Sequence, residues 1–376
     1  MKSKATPNVI DKYRKAYLKA TKKEKSRLLS IITETTGYDR KYAIKLLKTK
    51  PRKKPPIKRK RRSRYAHLLS VLSKIWTGLN FICGRRLQSF LPDVLPNLER
   101  HNEVSLSNDD RQLLLAMSIS TINRLLKSER AKLQLKGRSS TKPGTLLKHQ
   151  IPIRTFADWN EATPGFMEID LVAHCGGSLK GEYLHTLSMT DICTQWMALP
   201  CFMGRSDRFC SAAISEAISS LPFPLLGIDS DNDSCFINEH LLRFCERNSL
   251  TFTRGRASKP NDSCHIEQKN WDVVRRNIGY ARFDKPEHLP LLRSALTLLS
   301  LYQNFFQPSS KLIDKHRNGA RYKKTYDKPQ TPCQRLLLRP DIPQKTKDHL
   351  QQTFDDLNPF ELITNIRRLV DEMNRL

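Results

Sequence analysis

Apolar positions near the start of the chain recur with helical spacing. Leu28, Leu29, Ile31 and Ile32 precede Gly37, and Tyr42, Ile44, Leu46 and Leu47 follow it. This pattern predicts two amphipathic helices joined by a glycine turn, the second capped by Asp39. Its exposed face would carry Arg40, Lys41, Lys45 and Lys48. Such a pair is either a helix-turn-helix with phosphate contacts or an ordinary helical hairpin with a solvated basic face. A second pair is predicted in SLSNDDRQLLLAMSISTINRLLKSERAKL, where Ser107 caps a helix through Met117 and Ser120 caps another to about Leu133. It too reads as a helix-turn-helix or as a purely structural pair.

From Gly144 onward the period changes. Strand-like runs occur at FMEIDLVAH, YLHTLSMTDI, QWMALPCF, LLGIDSD and LTFTRG, with helical runs over Asp207–Ser220, Asn238–Asn248 and Asp262–Asn277. Three strands followed by strands alternating with helices predict an α/β fold, a mixed sheet covered by helices. The tail after Pro340 returns to helix, with Asn358 and Pro359 as cap and first-turn residue.

Charge sharpens the reading of the first part. The 376-residue chain carries a formal net charge of +29. Residues 1–64 hold 24 Lys and Arg against Asp11, Glu24, Glu34 and Asp39, so a net of +20 lies in that stretch. A basic module attached to a more balanced body points to a polyanionic partner, and tilts the first helical pair toward DNA. PRKKPPIKRKRRSR, residues 51–64, combines prolines with dense Lys and Arg and no acid, and reads as an extended linker that can follow a phosphate backbone. The nine cysteines are scattered without a C-x-x-C, and residues 1–66 hold neither Cys nor His. Neither a disulfide framework nor a zinc finger is indicated. With no apolar run of membrane-spanning length and no secretion signal, the chain is expected to be soluble, cytoplasmic and without a membrane partner.

Alternation also sorts the acids. In FMEIDL it sends Glu168 and Asp170 to one face and Met167, Ile169 and Leu171 to the other, and in GIDSDND it sets Asp229, Asp231 and Asp233 on one side while the strand lasts. Glu267 lies in a predicted helix. Two strand ends and a helix can therefore offer carboxylates to one point, as metal-assisted phosphoryl transfer requires. Taken singly, each of these acids would be an ordinary cap or surface residue.

Thirty-five residues separate Asp231 from Glu267 and sixty separate Asp170 from Asp231. The segment resembles the catalytic core of the DDE transposases and retroviral-type integrases. More narrowly, PGFMEIDLVAH, IDSDNDSCFIN and NDSCHIEQKNW resemble the integrase-core transposases of bacterial insertion sequences, as do LLKHQIPIRTF, NFFQPSSKL and TPCQRLL. The resemblance covers roughly residues 146–337. It implies an RNase H-like core over 146–315 with a five-stranded mixed sheet, preceded by a helix-turn-helix domain (1–50), the linker (51–66) and a second helical domain (67–145). A partly helical region (316–376) would follow.

The resemblance also implies that Asp170, Asp231 and Glu267 hold two Mg²⁺ ions, or Mn²⁺, for strand cleavage and strand transfer at the terminal inverted repeats and target DNA. Lys269, Arg275 and Arg276 would face the DNA backbone or be merely solvated. Joining two ends with one acidic triad per chain implies a homo-oligomer on DNA, nucleoid-associated in a bacterium. Where the family has D-N-G-S-E-F this chain has Asp233 and Cys235 in place of Gly and Glu. The rival reading is a DNA-binding protein without catalysis, a repressor or an inactive transposase remnant.

Overall fold

The structure, a computed structural model, describes residues 6–49, 64–132, 163–230, 236, 239–254, 270–318 and 321–376. The chain divides into two compact units, residues 1–62 and 63–376. Of the predicted linker, residues 51–66, all but Arg64, Tyr65 and Ala66 lie outside the described residues.

The first unit holds three helices, one more than the glycine-centred pattern predicts. α1 (Thr6–Lys19), α2 (Lys22–Thr36) and α3 (Arg40–Lys48) close on Ile10, Tyr17, Leu29, Ile32, Ala43 and Leu47. Gly37 ends α2 at φ 68°, the left-handed conformation that costs glycine least. Asp39 caps α3 as predicted, its carboxylate accepting from the Lys41 and Tyr42 amides at 2.8 and 3.3 Å.

The second unit begins with α4 (Leu69–Gly78), α5 (Gly84–Arg100), α6 (Asn108–Leu115), α7 (Ile119–Leu125) and α8 (Lys127–Ala131). Ser107 caps α6 as predicted. α7 is capped by Ser118, not by Ser120, because the helix starts two residues earlier and the Ser118 hydroxyl accepts from the Thr121 amide. The sheet follows: β1 (Phe166–Ala173), β2 (Leu184–Asp191), β3 (Met197–Ala198) and β4 (Cys201–Met203), then α9 (Asp207–Ile218), β5 (Gly227–Ser230), α10 (Glu239–Arg247) and β6 (Thr251–Arg254). A π-helical turn, Asn270–Arg275, runs into the short α11 (Arg276–Ile278). The chain then forms α12 (His288–Phe306), a hairpin of β7 (Leu312–Asn318) and β8 (Arg321–Tyr326), and α13 (Pro332–Leu337), α14 (Gln344–Asp356) and α15 (Pro359–Met373).

The sheet is mixed, in the order β3-β2-β1-β5-β6 with β4 also on β2. β2 runs antiparallel to β1, β3 and β4, whereas β5 and β6 run parallel to β1. The third strand is thus split into two short pieces, and the five-position mixed sheet flanked by helices is the RNase H-like architecture the resemblance implies. One face is apolar: Met167, Ile169, Leu187, Met189, Ile228 and Phe252 pack on Ala213, Ile214, Leu241 and Cys245 of α9 and α10.

The other face joins a larger core. Val172 and Trp196 beside the sheet share one cluster with Leu72, Trp76, Phe90 and Leu95 of α4 and α5, Leu299 and Phe306 of α12, and Ile363 and Ile366 of α15. The described helices of the span read as a second domain are therefore packed into the same core as the C-terminal helices. At the end of α4 a Cβ on Gly78 would meet the Phe360 ring at 2.3 Å, so any larger residue there requires that ring to shift. Among the described residues no helix is long and apolar enough to cross a membrane.

Candidate active site

The face of the sheet opposite α9 and α10 is polar in its middle. Register sets Glu168 against Thr190 and Asp170 against Ser188 on β2, Glu168 against Asp229 on β5, and Asp229 against Thr253 on β6. Glu168, Ser188, Thr190 and Asp229 are at most 2% exposed, so two carboxyl groups sit side by side within the sheet. The Thr253 hydroxyl donates to Asp229 Oδ1, which turns that carboxylate toward β6.

Asp170, two residues further along β1, is only partly buried. Its Oδ1 accepts from the Leu171 amide at 2.7 Å, and its Oδ2 accepts from the side-chain amide of Asn270. Asn270 opens the π-helical turn, a distortion found disproportionately at functional sites. Its Oδ1 is buried without a hydrogen-bond partner among the described residues. A carboxylate and an amide oxygen side by side are hard donors, suited to Mg²⁺ or Mn²⁺. Among the described residues no three His, Cys, Asp or Glu side chains are grouped to hold a metal.

Asp231, Asp233, Cys235, Glu267 and Lys269 lie outside the described residues. Of the other residues expected to contact DNA, Lys41, Lys45 and Lys48 are exposed on α3. Arg40 is exposed but tied back to α2, donating to Ser26 and Ser30. Arg275 donates to the Ala173 carbonyl at 2.8 Å and lies over the Tyr280 ring, clamping the end of β1. Arg276 donates to the Asn80 carbonyl at 2.7 Å. Asn270 was not singled out by sequence pattern, and its position three residues after Glu267 is the one signal that pointed to it.

His174, just past β1, is fully buried and bonded through Nε2 to the Thr186 hydroxyl at 2.8 Å. Burial pushes its imidazole down to about 3, and the Arg275 guanidinium and His185 act in the same direction. The folded protein thus keeps His174 neutral while the unfolded chain protonates near pH ~6.5. Its contribution to stability is intact above that pH and is lost as pH falls toward 3. Urea unfolding at pH 8 and pH 5 should show that His174→Gln removes about 2 kcal/mol of the wild-type loss between them. An unchanged loss would show that His174 titrates normally in the fold.

No family model matches the chain. The uncharacterized protein y4rM of Sinorhizobium fredii (strain NBRC 101917 / NGR234) is 38% identical over 328 residues, 87% of this chain and 92% of its own length. Among solved structures, the catalytic core domain of BIV integrase aligns at 16% identity and a TM-score of 0.31, over 45% of this chain and 91% of its own. The simian T-cell lymphotropic virus intasome in complex with PP2A regulatory subunit B56 gamma aligns at 14% identity and a TM-score of 0.35, over 66% of this chain and 76% of its own.

Proposed function

We propose that this chain, which belongs to the same family as the uncharacterized protein y4rM, is a DNA transposase that binds the ends of an insertion sequence and catalyses metal-dependent strand cleavage and strand transfer. The observation that carries this reading is register. β1 and β5 run parallel with Glu168 opposite Asp229 and Ile169 opposite Ser230, and the next residues in sequence are Asp170 and Asp231. Asn270, three residues beyond Glu267, is bonded to Asp170. Ser230, which precedes Asp231, thus pairs with Ile169 beside Asp170, and Asn270, three residues after Glu267, bonds Asp170 itself, in support of Asp170, Asp231 and Glu267 as one triad.

In this reading Asp170, Asp231 and Glu267 would hold two divalent ions, which would supply activation of the attacking oxygen and charge stabilisation of the leaving one. The chain's own residues do the positioning. Asn270 orients the Asp170 carboxylate through its amide N–H, Arg275 fixes the end of β1, and Thr253 holds Asp229 toward β6. The buried Glu168–Asp229 pair belongs to the sheet beneath the site and not to the substrate surface. Lys41, Lys45 and Lys48 on α3 would meet phosphates at the element ends. Because two ends are joined, the active form is a homo-oligomer on paired ends.

Incubating the full chain with DNA carrying the terminal inverted repeats that flank its gene, with Mg²⁺ and then with EDTA, tests the proposal. Joined products that require the metal are expected. End binding with no cleavage at any divalent metal would favour the non-catalytic DNA-binding reading to which Asp233 and Cys235 lend weight.

A further inference from the structure

Between Lys311 and Lys328 the chain carries seven Lys and Arg against two Asp, a concentration of charge outside both the first unit and the acidic site. This stretch is the β7–β8 hairpin, a two-stranded sheet of its own. Its register sets Lys315 opposite Lys324, His316 opposite Lys323 and Asn318 opposite Arg321. Like charges directly opposite destabilise a ladder, and an isolated two-stranded hairpin is marginal in water. Both acids are already engaged: Asp314 with His316 at 2.6 Å, and Asp327 with Arg335 at 2.7 Å. Lys323 and Lys324 are exposed.

The base of the hairpin is held firmly. Ser309 and Gln330 bridge it, Asp327 accepts from the Lys311 amide, and the Lys311 ammonium donates to the Ile192 and Cys193 carbonyls at 2.9 and 2.6 Å. Ser89 and Arg85 of α5 donate to the Pro329 and Asp327 carbonyls. A rooted ribbon of six- and seven-residue strands extends roughly 20 Å at about 3.3 Å per residue. The exposed Lys323 and Lys324 suit a phosphate backbone, and a two-stranded ribbon fits the major groove of B-DNA.

We propose that the β7–β8 hairpin is a DNA-contacting ribbon that enters the major groove of duplex DNA and carries part of the chain's sequence-independent affinity. The inference rests on the DNA-binding part of the function proposed above. The full chain is titrated with a fluorescent duplex of arbitrary sequence over a range of salt. Lys323→Glu/Lys324→Glu should weaken binding at least tenfold and lower the slope of log K against log salt by about 2, one for each lost phosphate contact. Lys345→Glu/Arg375→Glu changes the net charge equally at exposed sites outside the hairpin and should leave the slope nearly unchanged.

The melting midpoint of the hairpin variant should be equal to or above that of wild type, since Lys324→Glu puts a carboxylate opposite Lys315. Equal slopes for the two double variants would overturn the proposal. So would a lowered midpoint that Lys323→Ala/Lys324→Ala shares, which would mark a folding role. Wild-type chain that binds no duplex at any salt would sink the DNA-binding reading itself, and the hairpin proposal with it.

Discussion

Asp231→Asn should abolish strand transfer while leaving binding to the element ends intact. A carboxylate holding a catalytic divalent ion would contribute several kcal/mol of charge stabilisation in the transition state, and each ~1.4 kcal/mol is tenfold in rate, so the loss should be about a thousandfold or more. Asp229→Asn and Asp233→Asn should keep much of the activity. Asp229 is 2% exposed and bonded to Thr253, and an asparagine there still offers an oxygen to that hydroxyl. It also lies one side-chain repeat behind, roughly 6–7 Å along the strand, too far to share ions with Asp170. The check is the rate of end joining by the three purified variants, each matched for end affinity. Near-wild-type joining by Asp231→Asn would remove the triad assignment, and with it the argument from register.

The alternation in FMEIDL and GIDS was enough to read β1, β5 and the polar face they share, because strand period and burial agree there. Other elements were hidden by features that tertiary packing overrides. α5 contains Pro92 and Pro96, each a strong helix breaker in isolation, yet the helix buries Leu87, Phe90, Leu91, Val94, Leu95 and Leu98. The β7–β8 hairpin reads as a charge run, and its register becomes visible only with the pairing partner in place.

In the site, Asp170 was legible from alternation and spacing. Asn270 was not, since the π-helical turn that aims it at Asp170 breaks the regular helical period predicted there. Arg275 and Arg276 show the converse. A sequence can mark a guanidinium as basic, but not that its N–H groups are taken by the Ala173 and Asn80 carbonyls.

Ile366→Ala, in the hydrophobic core, should destabilise the helical span of residues 67–131 and the sheet together. Ile366 is fully buried in the cluster that also holds Trp76 of α4 and Trp196 beside the sheet, and Asn97 of α5 donates to the Phe354 and Leu357 carbonyls where α14 leads into α15. Truncating a buried isoleucine to alanine costs about 2–5 kcal/mol, which in a unit of this size lowers the midpoint by roughly 5–10 °C. Chains with Trp76 or Trp196 as the reporting tryptophan should melt in coincident transitions, and Ile366→Ala should move both by the same amount. The same packing means that a fragment ending at residue 150 leaves Leu72, Trp76 and Phe90 without the α12 and α15 side chains that cover them, so end binding by such a fragment would belong to residues 1–62. If Trp76 melted separately from Trp196, and only one of the two transitions responded to Ile366→Ala, the helical span would be a domain in its own right.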